Sequence, residues 1–82
     1  MVTDFMYNQN TNILSWLSDT PGEHFNIAYS VGDDQNYSII YEGIDLSCPF
    51  DCTGLGSPIY ASNMKRDKRG DLSPHGKKKI VD

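Results

Sequence analysis

Arg69-Gly70-Asp71 is the stretch of this chain whose side chains could most directly engage another molecule. A guanidinium and a carboxylate on either side of one flexible glycine present opposite charges a short distance apart. Such a pair can bridge an acidic site and a metal-bound carboxylate site on a receptor. Arg69, Gly70 and Asp71 are therefore the candidate binding residues. The same tripeptide also arises by composition alone in a segment this rich in basic residues and Asp. Asn36-Tyr37-Ser38 is an N-glycosylation sequon, which makes Asn36 a candidate attachment site if the protein traverses a secretory pathway.

Cys48 and Cys52 stand in Cys-Pro-Phe-Asp-Cys. They can close one small disulfide loop if the backbone brings their Cα atoms within about 7 Å. So short a loop is worth roughly 2 kcal/mol in the chain-entropy model. A pair of free, partly buried thiols is equally open. Zinc would have to recruit His24 or His75, and a Cys-x3-Cys with two isolated histidines lacks the paired spacing of a finger, so no metal site is expected. No basic residue lies within a dozen positions of either cysteine to stabilise a thiolate. Asp33-Asp34 sits among turn formers, where side-chain hydrogen bonds to the local backbone explain an Asp. Gly54-Leu55-Gly56 belongs to no phosphate-binding spacing. These residues predict neither an enzyme nor a cofactor or small-molecule substrate.

Charge divides the chain. All seven basic residues lie between Lys65 and Lys79, whereas residues 1–62 carry eight acids and no Lys or Arg. All nine aromatics, from Phe5 to Tyr60, fall in that acidic part. Residues 1–64 are therefore expected to form the body, and 65–82 a mobile basic loop with at most a short closing strand at Lys79-Ile80-Val81. A nucleic-acid binder would interleave positive charge with aromatics on a folded surface. Here the two are segregated, so nucleic acid is not an expected partner. No wholly apolar run approaches the ~20 residues that a membrane helix needs, so no membrane insertion within this chain is expected.

At 82 residues the chain makes one small domain. Phe25, Ile27, Tyr29 and Val31 alternate with Asn26, Ala28 and Ser30, the two-residue period of a half-buried strand. After the turn formers Gly32-Asp33-Asp34-Gln35-Asn36 the alternation resumes at Tyr37, Ile39 and Tyr41, so the two segments read as a hairpin. Ile13-Leu14-Ser15-Trp16-Leu17 reads as a shorter strand, closed by the turn Asp19-Thr20-Pro21-Gly22. It is preceded by an apolar patch at Val2, Phe5, Met6 and Tyr7. Helical periodicity is lacking throughout, and the predicted fold class is all-β, a small antiparallel β-sandwich.

Ile13-Leu14-Ser15-Trp16, the Pro-Gly turn and Phe25-Asn26-Ile27-Ala28-Tyr29-Ser30-Val31 resemble strands B and C of a fibronectin type III domain. Thr53-Gly54-Leu55 resembles that family's E–F turn. Ile59-Tyr60-Ala61-Ser62-Asn63, with Gly70-Asp71-Leu72-Ser73-Pro74 and Lys79-Ile80-Val81, resembles strand F, the F–G loop and strand G. Only seventeen residues separate Tyr41 from Ile59, so the E–F region is shortened, and the family's corner tyrosine is missing from it. The resemblance implies a non-catalytic binding module of adhesion or receptor type. It also implies a protein partner and an extracellular setting or an ectodomain fragment, with Arg69-Gly70-Asp71 in the loop that adhesion repeats use. From a different class, the acidic body reads as a small inhibitor or nucleic-acid mimic docking onto a basic protein surface, with a cytoplasmic location. That alternative needs the acids to share one face.

Overall fold

The computed structural model describes residues 2–82. Seven strands follow one another: β1 (Val2–Asn8), β2 (Ile13–Ser18), β3 (Phe25–Val31), β4 (Ser38–Gly43), β5 (Ser47–Pro49), β6 (Ile59–Arg66) and β7 (Leu72–Val81). They pair into two antiparallel sheets, ordered β1-β2-β5 and β4-β3-β6-β7. The chain is all-β, a small antiparallel β-sandwich as its alternation predicts.

On β2 and β3 alternation decides which side chains turn toward the facing sheet. On β2, Leu14 and Trp16 turn inward while Ile13 and Leu17 remain exposed. On β3, Phe25 and Ile27 meet them from the opposite sheet. Trp16 lies at the centre: its ring centroid is 6.0 Å from Phe5, 5.9 Å from Phe25 and 5.7 Å from Tyr41. Tyr29 packs on Phe50 at 5.1 Å. The predicted hairpin forms, with Phe25 opposite Gly43 and Tyr29 opposite Ser38. As a central strand β3 also buries Ala28 and Ser30. The Ser30 hydroxyl is satisfied there by its one proton, for which Asp33 O at 2.7 Å and Asp33 Oδ1 at 2.8 Å are the two acceptors in reach.

The apolar patch before β2 proves to be a strand of its own. Val2 and Phe5 both face the core although they are three residues apart, which a regular strand would forbid. A bulge between Thr3 and Met6 resolves this, and within it Asp4 takes a left-handed φ of 56°. Asp is among the few residues that tolerate that region.

At the other end the structure goes beyond the short closing strand expected at 79–81. β7 pairs along β6 from Val81 opposite Ile59 to Leu72 opposite Arg66. Residues 65–81 thus form the outer arm of the four-stranded sheet. Few of their side chains are buried, so backbone pairing rather than apolar burial defines this strand, and composition carries no sign of it. Pro74 is compatible with the arm because β7 is an edge strand, the place in a sheet where proline is tolerated. The shortened region before β6 reduces to the three residues of β5, followed by an irregular stretch. That stretch is pinned by buried Phe50, whose N–H donates to Asn12 O at 2.8 Å.

Candidate functional site

The β6–β7 hairpin ends in a turn over residues 67–71, and Asp67 builds it. Its carboxylate accepts the N–H of Arg69 at 2.8 Å and that of Asp71 at 3.0 Å. The Asp67 N–H donates to Asp71 O at 2.9 Å, and the Gly70 N–H to Asp67 O at 3.0 Å. Gly70 sits at φ +86°, a conformation open to glycine at little cost. The Arg66 guanidinium caps the turn by donating to Gly70 O at 2.9 Å. Arg69, Gly70 and Asp71 are therefore displayed from a turn held by five hydrogen bonds.

The two outer side chains of the tripeptide are strongly exposed, Arg69 at 82% and Asp71 at 71%. They also lean together: Arg69 Nε is 3.8 Å from Asp71 Oδ2, and Arg69 Nη2 is 3.7 Å from Asp67 Oδ2. A receptor that reads the two charges separately must part them. An ion pair this exposed is worth about 0–1 kcal/mol, so parting it is a minor obstacle. Asp67 is the turn-building residue that sequence reading missed. Its signal was available as an Asp two residues before the tripeptide, the position from which an Asx side chain folds a turn.

The other basic residues are drawn toward the acidic body. Lys77 Nζ is 3.1 Å from Asp34 Oδ2 and Lys65 Nζ is 3.9 Å from Glu23 Oε2. Both contacts join the β6–β7 arm to turns of the acidic segment, so the two charge halves of the sequence partly neutralise each other in space.

Asn36 is exposed in the β3–β4 turn, where its amide donates to Asp33 Oδ2 at 3.3 Å. Its neighbour Tyr37 is half-buried, and its hydroxyl is without a partner among the described residues. Burial, then the Asp34, Tyr60 and Asp33 charges, push that hydroxyl up to about 12. Asp33 organises this turn as Asp67 organises the other. Backbone donation from Gln35, then the Ser30 hydroxyl and the Asn36 N–H, hold its carboxyl below the usual range. A depressed folded-state value means that the contribution is present above the unfolded value and is lost as pH falls through the folded one. Ser30→Ala should therefore move the Asp33 NMR titration midpoint upward, toward that of an ordinary Asp. An unchanged midpoint would show that the backbone donors alone set it.

Cys48 and Cys52 are free thiols, so the candidate bridge is not formed in this structure. Cys48 points from β5 into the core opposite Leu14, and burial pushes its thiol up. Cys52 instead lies beside Tyr7, whose hydroxyl is 3.4 Å from Cys52 Sγ and donates to Phe50 O at 2.7 Å. His24 and His75 are exposed. Among the described residues no group of three or more His, Cys, Asp or Glu could hold a metal ion, and no helix is long and apolar enough to cross a membrane.

Comparison with protein-family models, curated proteins and solved structures finds no match to this chain.

Proposed function

We propose that this chain is a non-catalytic binding module of fibronectin type III-like design, an extracellular adhesion or receptor fragment that presents its β6–β7 turn to a protein partner. The observation that carries the reading is the turn itself: Asp67 and Arg66 hold the backbone of residues 67–71, while Arg69 and Asp71 stand out into solvent. A rigid backbone under two exposed, opposite charges lowers the ordering cost of binding. The reading is supported by the division of seven strands into three and four, with the segment that resembles strand B in one sheet and those that resemble strands C, F and G side by side in the other. No cofactor, nucleic acid or small-molecule substrate enters it. An acidic docking face finds less support, because Lys77 and Lys65 already lie against Asp34 and Glu23.

The test is adhesion to receptors that read an Arg and a metal-coordinating carboxylate, in buffer containing divalent cations. Asp71→Glu keeps the charge but moves the carboxylate outward by one methylene. It should weaken adhesion at least about tenfold, the equivalent of one misplaced metal contact. Chelating the divalent cation should remove adhesion of the unaltered protein. Adhesion that survives Asp71→Glu unchanged would mean that the tripeptide is an accident of composition.

A further inference from the structure

The outer face of the three-stranded sheet is apolar where an isolated sheet would be polar. Met6 is 65% exposed, Leu17 55% and Leu46 49%. These three side chains line one groove whose wall includes Trp16, and the charged groups along it are Asp4 from the β1 bulge and Lys78 from β7. Neither charge has an ion-pair partner among the described residues, whereas Lys65, Lys77 and Lys79 each have a carboxylate within 4.0 Å. The groove therefore combines an apolar centre with one unpaired acid and one unpaired base.

We propose that this face is the seat of a second copy of the same chain, in a two-fold dimer built on Met6, Leu17 and Leu46. A two-fold contact places each patch against itself, so its charges must complement their own copies. A surface with one acid and one base meets that requirement: Asp4 of each copy faces Lys78 of the other, twice over. A groove bordered by one sign alone would repel itself. The backbone edges offer no competing route to self-association. β1, β4 and β7 each carry a bulge and β5 has only three residues, devices that discourage edge-to-edge pairing. A standard interface hides about 800 Å² per partner, and a face of three short strands makes a weak, concentration-dependent dimer. This inference is independent of the proposed binding turn, since no residue of 67–71 lines the groove. Dimerisation would give two turns to one assembly.

Sedimentation equilibrium across a wide concentration range tests the proposal. The unaltered protein should pass from monomer to dimer, and the indole N–H resonance of Trp16, the one tryptophan of the chain, should shift along the same curve. Leu17→Asp, at an exposed position, should weaken association at least tenfold. Lys78→Glu should do the same, because it sets acid against acid at both ends. Mixing Lys78→Glu with Asp4→Lys should restore a dimer, now of unlike chains, since each then meets the opposite charge. Far-UV circular dichroism checks that every variant is folded. If Asp4→Lys does not fold, the two other variants decide the outcome. A chain that remains monomeric at all concentrations, or a dimer indifferent to both Leu17→Asp and Lys78→Glu, overturns the proposal.

Discussion

Replacing Trp16 with Ala should cost about 3–5 kcal/mol, the loss expected for truncating a large buried aromatic. Trp16 is 2% exposed and touches Phe5 in its own sheet and Phe25 and Tyr41 in the other. Truncation thus leaves a cavity that no single strand can close by shifting. Native domains hold only about 5–15 kcal/mol in all, and chains this short bury proportionally less surface. Trp16→Ala should therefore leave most of the protein unfolded at room temperature, read by far-UV circular dichroism in a urea series. Trp16→Phe supplies the contrast. It gives up ring volume, but it also removes an indole N–H that is buried without an acceptor among the described residues. Its loss should fall well below that of the alanine variant. Equal losses would mean that the indole N–H is satisfied in solution, and a small loss for alanine would mean that the two sheets are not keyed on this residue.

β3 and the strand bearing Trp16 were legible because large apolar residues recur on them with a period of two toward the facing sheet, whereas the bulge in β4 leaves Ile39 exposed and packs both Ile40 and Tyr41 against the core. β1 breaks the period through its bulge. Val2 and Phe5 are out of phase until Asp4 turns over at φ 56°, and nothing in the order Val-Thr-Asp-Phe announces that. β7 was obscured for a different reason. Its ladder to β6 is a backbone property, and Lys77, Lys78 and Lys79 report only that their side chains are solvated. The segment after Tyr41 was expected to be short in strand, and Pro49 does end β5 after three residues.

At the candidate site, composition indicated which side chains could act but not what holds them. Arg69 and Asp71 announce their chemistry, whereas the role of Asp67 depends on a turn whose geometry exists only once β6 and β7 have paired. The same limit applies to the cysteines. Spacing left a bridge open, and it is the Tyr7 hydroxyl, 45 residues away in sequence, that meets Cys52. Long-range contacts of this kind have no local signature. Short-range turn chemistry does, which is why the Asp33 turn was readable and the Asp67 turn could have been.

Two glycines separate backbone conformation from crowding and give the second large effect. Gly70 and Gly76 are both left-handed, at φ +86° and +80°. A side chain at Gly70 would find nothing within 4 Å, whereas one at Gly76 would come within 2.9 Å of the Val2 carbonyl oxygen. At Gly76 the edge of one sheet touches the edge of the other, since β1 carries Val2 and β7 carries Gly76. Alanine at either position meets the left-handed penalty of about 1–2 kcal/mol, and both substitutions restrict the unfolded chain equally. Gly70→Ala should therefore cost about 1 kcal/mol. Gly76→Ala should cost about 2–4 kcal/mol, the surplus being overpacking against a backbone atom that cannot rotate away. Urea denaturation of the two variants measures that difference directly. If they lose the same stability, β1 yields to the added methyl and the contact between the two sheet edges is loose. If Gly76→Ala loses the larger amount, the backbone of Val2 is held tightly against β7, and this contact helps to lock the basic arm to the rest of the sandwich.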